Sequence, residues 1–213
     1  MPLLESGNIE YNPCMRFNRP IILASASPRR IDMMHQKGYD PLVMPAEIQE
    51  NIPPHRTAYE VPMYLALKKG LDVMERSQLE DGIIISCDTI VYRGDPLGEG
   101  EIMGKPVDHD DGKRMLLSLR NGSHLVISGI CMIDMKTGIK KVIKDVTEVF
   151  FGDYTPEELD EYLNTPEAYD KAGGYAIQGT FGKYVIKING RYSNVVGFPW
   201  ELIEKELELF QED

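Results

Sequence analysis

Short apolar runs alternate with apolar stripes of helical period along this chain. Pro20-Ile21-Ile22-Leu23-Ala24 is an unbroken apolar run of the kind that forms a buried strand. Ser27 as N-cap, Pro28 behind it and Gly38 past the end bracket a helix of about ten residues. Ile31 and Met34 mark its core side. Leu42-Val43-Met44 predicts a short strand. Val61, Tyr64, Leu65, Leu71 and Met74 form one broad face of a long helix over residues 57–76, with Pro62 near its first turn. The strongest strand signal covers residues 82–92, apolar on both faces as in a central strand. Three glycines and a proline make residues 93–100 a loop leading to Glu101-Ile102-Met103.

A helix over residues 110–120 turns Met115, Leu116 and Leu119 inward, and Asn121-Gly122 marks a turn. Strands follow over 125–134 and 141–151; in the second, Val142, Val146 and Phe150 are interleaved with polar positions. Thr155-Pro156-Glu157-Glu158 is a capping box opening a helix to Leu163. Residues 172–178 read as extended. Residues 183–188 and 191–196 read as a hairpin around Asn189-Gly190, and 199–210 as a final helix with Leu202, Ile203, Leu207 and Phe210 inward. Strands and helices interleave without a linker or repeat. The expectation is one α/β domain over 19–213, a long mixed sheet flanked by helices. Residues 1–18 lack periodicity and read as a partly ordered extension.

Charge narrows the function classes. Of 213 residues, 23 are Lys or Arg and 34 Asp or Glu, a formal net charge of −11. Such a chain is a poor general binder of nucleic acid or of anionic membranes. Any site for phosphates has to concentrate positive charge against the overall sign. Cys14, Cys87 and Cys131 are few, odd in number and widely spaced, so neither a disulfide framework nor a structural zinc site is expected. The four histidines show no HExxH pattern. No signal peptide or membrane-length apolar run is evident, and a reduced cytoplasmic setting is expected.

Four places carry candidate chemistry. Arg29 and Arg30 stand at the start of the first helix, where free N–H groups and two guanidiniums make an anion site; the plain alternative is two solvated arginines. Asp88 interrupts the most apolar strand, and a carboxylate there must be paired, hydrogen-bonded or metal-bound. Lys105, in Gly104-Lys105-Pro106, approaches it if the flanking strands pair. Glu47 and Glu50, three apart in a Pro-rich loop, suit a metal but more often form a solvated loop. Lys171, before Gly173-Gly174, suits a phosphate or a carboxylate; the plain alternative for the glycines is a tight turn needing φ > 0 before a strand. Lys68-Lys69 reads by itself as a surface pair, and His124 as a satisfied polar residue. Anion-binding arginines, a buried carboxylate, several lysines and no nucleophilic triad fit metal-assisted attack of water on a phosphoanhydride.

These segments resemble the Maf family of nucleoside triphosphate pyrophosphatases. Leu23-Ala24-Ser25-Ala26-Ser27-Pro28-Arg29-Arg30 is similar to its N-terminal signature, and Ser86-Cys87-Asp88-Thr89-Ile90-Val91 to its central strand motif. Gly104-Lys105-Pro106, the segment from Asp170 to Gly179, and Asn194-Val195-Val196-Gly197-Phe198-Pro199 follow in the family's order, over residues 20–205. The resemblance implies a deep cleft beside an elongated mixed sheet. It implies hydrolysis of a nucleoside triphosphate to monophosphate and pyrophosphate with Mg²⁺ or Mn²⁺, and a possible homodimer. Asp88 would activate water and touch the metal, with Glu50 helping to hold it. Ser25, Arg29, Arg30, Lys69 and Lys105 would bind and polarise the triphosphate. Arg30, Thr89 and Gln178 match the base-selecting residues of the branch that prefers dTTP and UTP. Three features depart from the family: residues 1–18, a longer stretch over 93–101, and Gln49 where an acidic residue is usual. Alternative classes are a non-catalytic nucleotide-binding regulator of growth or division, and an interaction domain using the acidic surface.

Overall fold

Ile83 to Tyr92 put apolar side chains on both sides of one strand, and that strand is the spine of the fold. In the computed structural model, which describes residues 18–210, β3 (Ile83–Gly94) lies at the centre of a seven-stranded mixed sheet. The expected extension over 1–18 falls, apart from Asn18, outside the described residues, as do 211–213. Parallel to β3 run β1 (Ile21–Leu23) and, beyond it, β2 (Leu42–Val43). On its other side β5 (Ser123–Asp134), β6 (Lys140–Phe151) and β7 (Val185–Asn189) follow antiparallel.

β3 has two partners along one edge. Its first half pairs with β1 through Ile21↔Ile83 to Leu23↔Ile85. Its second half pairs from Val91 onward with β4 (Gly100–Met103), antiparallel. Between these, residues 86–90 are covered on one edge by β5 and left open on the other. The break in pairing falls on the segment Ser86-Cys87-Asp88-Thr89-Ile90.

Helices cover both faces. α2 (Glu60–Arg76) lies across one face, Ala66 and Val73 packing on Ile84 and Ile133, and Val61 and Leu65 on Ile90 and Ile127. Gly129 makes that close approach possible, because a Cβ there would overlap the Pro62 carbonyl and the Met63 nitrogen of α2. On the other face two cores form. Near β1, α1 (Pro28–Gln36) and α6 (Trp200–Leu209) bring Met34, Trp200, Ile203 and Leu207 against Ile85, Ile130 and Met132. At the far end, α3 (His109–Leu119) and α4 (Pro156–Leu163) close over Val91, Val126 and an aromatic group including Phe151, Tyr154 and Phe181. Each fully buried Ile or Leu contributes about 1.5–3 kcal/mol.

Most expected elements form, including the Ser27–Pro28 helix start and the complete Thr155–Glu158 capping box. Three expectations are corrected. Residues 172–178 are not extended: Gly173 and Gly174 both take left-handed backbone, φ 74° and 72°, inside a tight turn. The second arm of the expected hairpin is helix α5 (Tyr192–Val196), because buried Asn194 donates to Val126 O and Thr147 Oγ1 and draws the chain back onto the sheet. In β6 the deeply buried set is Asp145, Thr147, Val149 and Phe151, while Val142, Val146 and Phe150 are half-buried. Alternation read by apolarity misses that face, since half of it is polar.

Candidate active site

The open edge of β3 forms the floor of a cleft of about 700 Å³. Adjacent strand residues point to opposite faces, so Asp88 and Thr89 reach the cleft from the two sides of the sheet. Asp88 turns toward α2. Its Oδ1 accepts from Lys69 Nζ at 2.6 Å, and the same ammonium lies 2.7 Å from Glu50 Oε1. Burial alone pushes the Lys69 pKa down, but the Asp88 and Glu50 carboxylates outweigh it and hold it above its ordinary value. Lys69 is thus no surface lysine: its side chain is 15% exposed. Its neighbour Lys68 binds the Gln49 carbonyl instead.

Thr89 turns to the other face, toward Arg30. The Arg30 guanidinium donates to Gly197 O at 3.0 Å, Cys87 O at 2.6 Å, Ser25 Oγ at 3.1 Å and Thr89 Oγ1 at 3.5 Å. Ser25 is buried behind Arg30 and is not on the cleft wall; it orients the arginine. Arg29 is exposed at the mouth. Burial works to raise the Asp170 carboxyl, but Lys171 and, further off, Arg29 hold it below its ordinary value. Lys171 bonds both Asp170 and the Glu167 carbonyl. The left-handed glycine pair that follows turns the chain so that Lys171, Tyr175 and Gln178 all line the cleft.

The cleft therefore gathers Arg29, Arg30, Lys69, Lys105 and Lys171 against Glu50, Asp88 and Asp170. Five cations face three carboxylates in a chain of net charge −11. That local reversal of sign is what a polyphosphate requires.

Two further sequence expectations change here. The partner of Asp88 is Lys69; Lys105 follows the end of β4 and stands exposed on the cleft wall. Glu47 and Glu50 separate, Glu47 joining Arg76 on α2 and only Glu50 entering the cleft. The long 93–101 stretch folds as a tight hairpin whose tip meets Ala58, and the cleft wall begins after it, at Ile102. The sequence alone points to neither Ser128 nor the Gly197 carbonyl as part of the site. A serine inside the apolar run of β5 is the signal for the first; nothing local announces the second.

The donor set suits a hard divalent cation. Asp88 and Glu50 converge on one ammonium, so their oxygens already share a cationic position. Among the described residues no group of three or more His, Cys, Asp or Glu side chains gathers to hold an ion unaided. One or two carboxylates completed by substrate phosphates is the usual protein site for Mg²⁺, and these residues fit it. Among the described residues no helix is long and apolar enough to cross a membrane.

A family model described as "Maf-like protein" matches residues 20–210. A dTTP/UTP pyrophosphatase of Desulforamulus reducens is 37% identical over 193 residues, covering 90% of this chain and 97% of the relative. One of Alkaliphilus oremlandii is 40% identical over 181 residues, covering 85% and 91%. A third, of Phocaeicola vulgatus, is 37% identical over 191 residues, covering 88% and 94%.

Proposed function

Because the chain belongs to the Maf-like protein family, we propose that it hydrolyses nucleoside triphosphates, dTTP and UTP first among them, to the monophosphate and pyrophosphate. The observation that carries this reading is the cleft's reversal of charge around the Lys69–Asp88 pair. Arg29, Lys105 and Lys171 neutralise the triphosphate from the walls. Asp88 takes a proton from water as the water oxygen bonds the α-phosphorus. The bond from that phosphorus to the bridging oxygen breaks, and pyrophosphate leaves with its charge clamped. Lys69 holds Asp88 in place. Asp88 and Glu50 would hold the divalent metal, Mg²⁺ or Mn²⁺, which would add charge neutralisation on the phosphates. Arg30, Thr89 and Gln178 face the base.

Clearing pyrimidine nucleotides from the cytoplasmic pool is the role that follows, and a homodimer belongs to the same reading. The test is pyrophosphate release from canonical and modified triphosphates with Mg²⁺ or Mn²⁺, for wild type and Asp88→Asn. Turnover of dTTP and UTP that Asp88→Asn abolishes supports the proposal. Turnover confined to purine nucleotides overturns the base assignment. Nucleotide binding without turnover moves the protein to the class of non-catalytic regulators.

A further inference from the structure

A buried row of polar side chains crosses the sheet level with the cleft. Strand register pairs Thr89 with Ser128 and Ser128 with Asp145, and directly paired residues share a face. Above the row, Val91 and Val126 belong to the far core; below it, Cys87 and Ile130 belong to the near one. Ser128 is fully buried and Asp145 is 7% exposed. Apolar side chains there would have merged the two cores. Buried hydroxyls cost stability unless their protons are used, so the direction of each proton can be worked out.

Among the described residues Ser128 Oγ has one partner, Thr89 Oγ1 at 2.8 Å. Thr89 Oγ1 also lies 3.3 Å from the Gly197 carbonyl, which can only accept. If Thr89 gave its proton to Ser128, the Ser128 proton would have no acceptor in a dry site. Ser128 donating to Thr89, and Thr89 to Gly197, uses both protons. Thr89 then meets the cleft with its oxygen as acceptor alone. Beside it, Arg30 commits Nε and both Nη1 protons to Gly197, Ser25 and Cys87, and its Nη2 group reaches Thr89 only at 3.5 Å. A ligand N–H that takes the place of this long contact on Thr89 leaves the Nη2 protons to a neighbouring acceptor.

We infer that Ser128 is a positioning residue for base selection: by donating to Thr89 it makes that hydroxyl an acceptor. With Arg30, the wall then reads a base edge that carries an N–H beside a carbonyl oxygen. Uracil and thymine present that imide edge. Cytosine presents a bare ring nitrogen beside an amino group, the reverse pattern. The inference rests on the reading of Thr89 and Arg30 as base-facing, and adds a residue that never touches the substrate.

The test compares wild type, Ser128→Ala and Ser128→Thr. It measures kcat/KM for UTP and CTP, and binding of UMP and CMP by calorimetry. Wild type favours the uridine ligand in both measurements. Ser128→Ala lowers the uridine-to-cytidine ratio about 5- to 10-fold, the scale of one neutral hydrogen bond. Ser128→Thr, which keeps the hydroxyl, retains the ratio; thermal melting confirms that both variants are folded. Equal weakening of both ligands by Ser128→Ala, or an unchanged ratio, overturns the inference. Wild type that prefers UMP but releases no pyrophosphate overturns the proposed hydrolysis and leaves the Ser128 assignment standing. Turnover with no base preference does the opposite.

Discussion

The Lys69 ammonium lies 2.6 Å from Asp88 Oδ1, joining the middle of α2 to the open edge of β3. The two ends of this pair are not equally supported. Lys69 has a second carboxylate in Glu50, whereas no other cation is paired with Asp88 among the described residues. Asp88→Asn is therefore expected to keep its fold and lose about 10²- to 10⁴-fold in kcat as a general base. Lys69→Met leaves a buried carboxylate uncompensated and is expected to destabilise the protein by about 3 kcal/mol. Thermal melts of the two variants check the asymmetry, and equal melting temperatures contradict it.

The two neighbouring arginines are expected to respond differently to replacement by lysine. Arg30 spreads its donors over Gly197, Cys87, Ser25 and Thr89, a fork that a single ammonium cannot reproduce. Arg30→Lys is expected to lower kcat/KM for UTP about 10- to 100-fold, from the loss of charge-assisted hydrogen bonds. Arg29 is exposed, and lysine keeps its charge there. Arg29→Lys should lose far less, and steady-state kinetics of both variants decides the point.

His124 predicts a pH dependence of stability. The residue is 2% exposed, Nε2 lies 2.7 Å from the Tyr175 hydroxyl, and burial pushes its pKa down to about 3. An unfolded histidine titrates near 6.5. Between these values the unfolded chain binds a proton that the native one does not, so this contribution is intact above about pH 6.5 and is lost as pH falls. Going from pH 6.5 to pH 5 should cost about 2 kcal/mol through this one group. Urea unfolding at several pH values should show a shallower slope for His124→Gln; an unchanged slope excludes His124 as its source.

Gly129→Ala is expected to be among the most damaging small substitutions in the chain. The added methyl meets backbone of α2, which has no side chain to move aside. Overpacking of this kind costs about 3 kcal/mol, and α2 shifts together with Lys69. Both melting temperature and turnover should fall; a variant that melts like wild type would show that α2 can lift without loss.

Local signals carried much of this fold. Ser27-Pro28, the Thr155 capping box and the two-sided apolar run of β3 each state their structure within a few residues. Asp88 was legible for the same reason, as a charge where the pattern allows none. Lys69 was not, because its meaning comes from Asp88 on another element, 19 residues away. Glu47 and Glu50 looked equivalent until the chain sent one to Arg76 and the other to Lys69. Helix α5 runs against its local signal, because Val195-Val196 after Asn-Gly favours a strand, while the hydrogen bonds of Asn194 lie across the sheet. The buried face of β6 is hidden by its own polarity, since half of it is Asp145, paired with Arg191, and Thr147, which accepts from Asn194.

Asp88 and Thr89 are consecutive residues that face away from each other, and this separates two inheritances. On the function proposed above, substitutions on the Arg30–Thr89–Ser128 side shift base preference without touching the residues around Lys69. A lineage would then change what it recognises while keeping how it cuts. The same arrangement forbids a different route: inserting or deleting one residue before Asp88 in β3 would exchange the two faces. Diversity in such a protein is expected to accumulate by replacement along this strand, with changes of length confined to its turns.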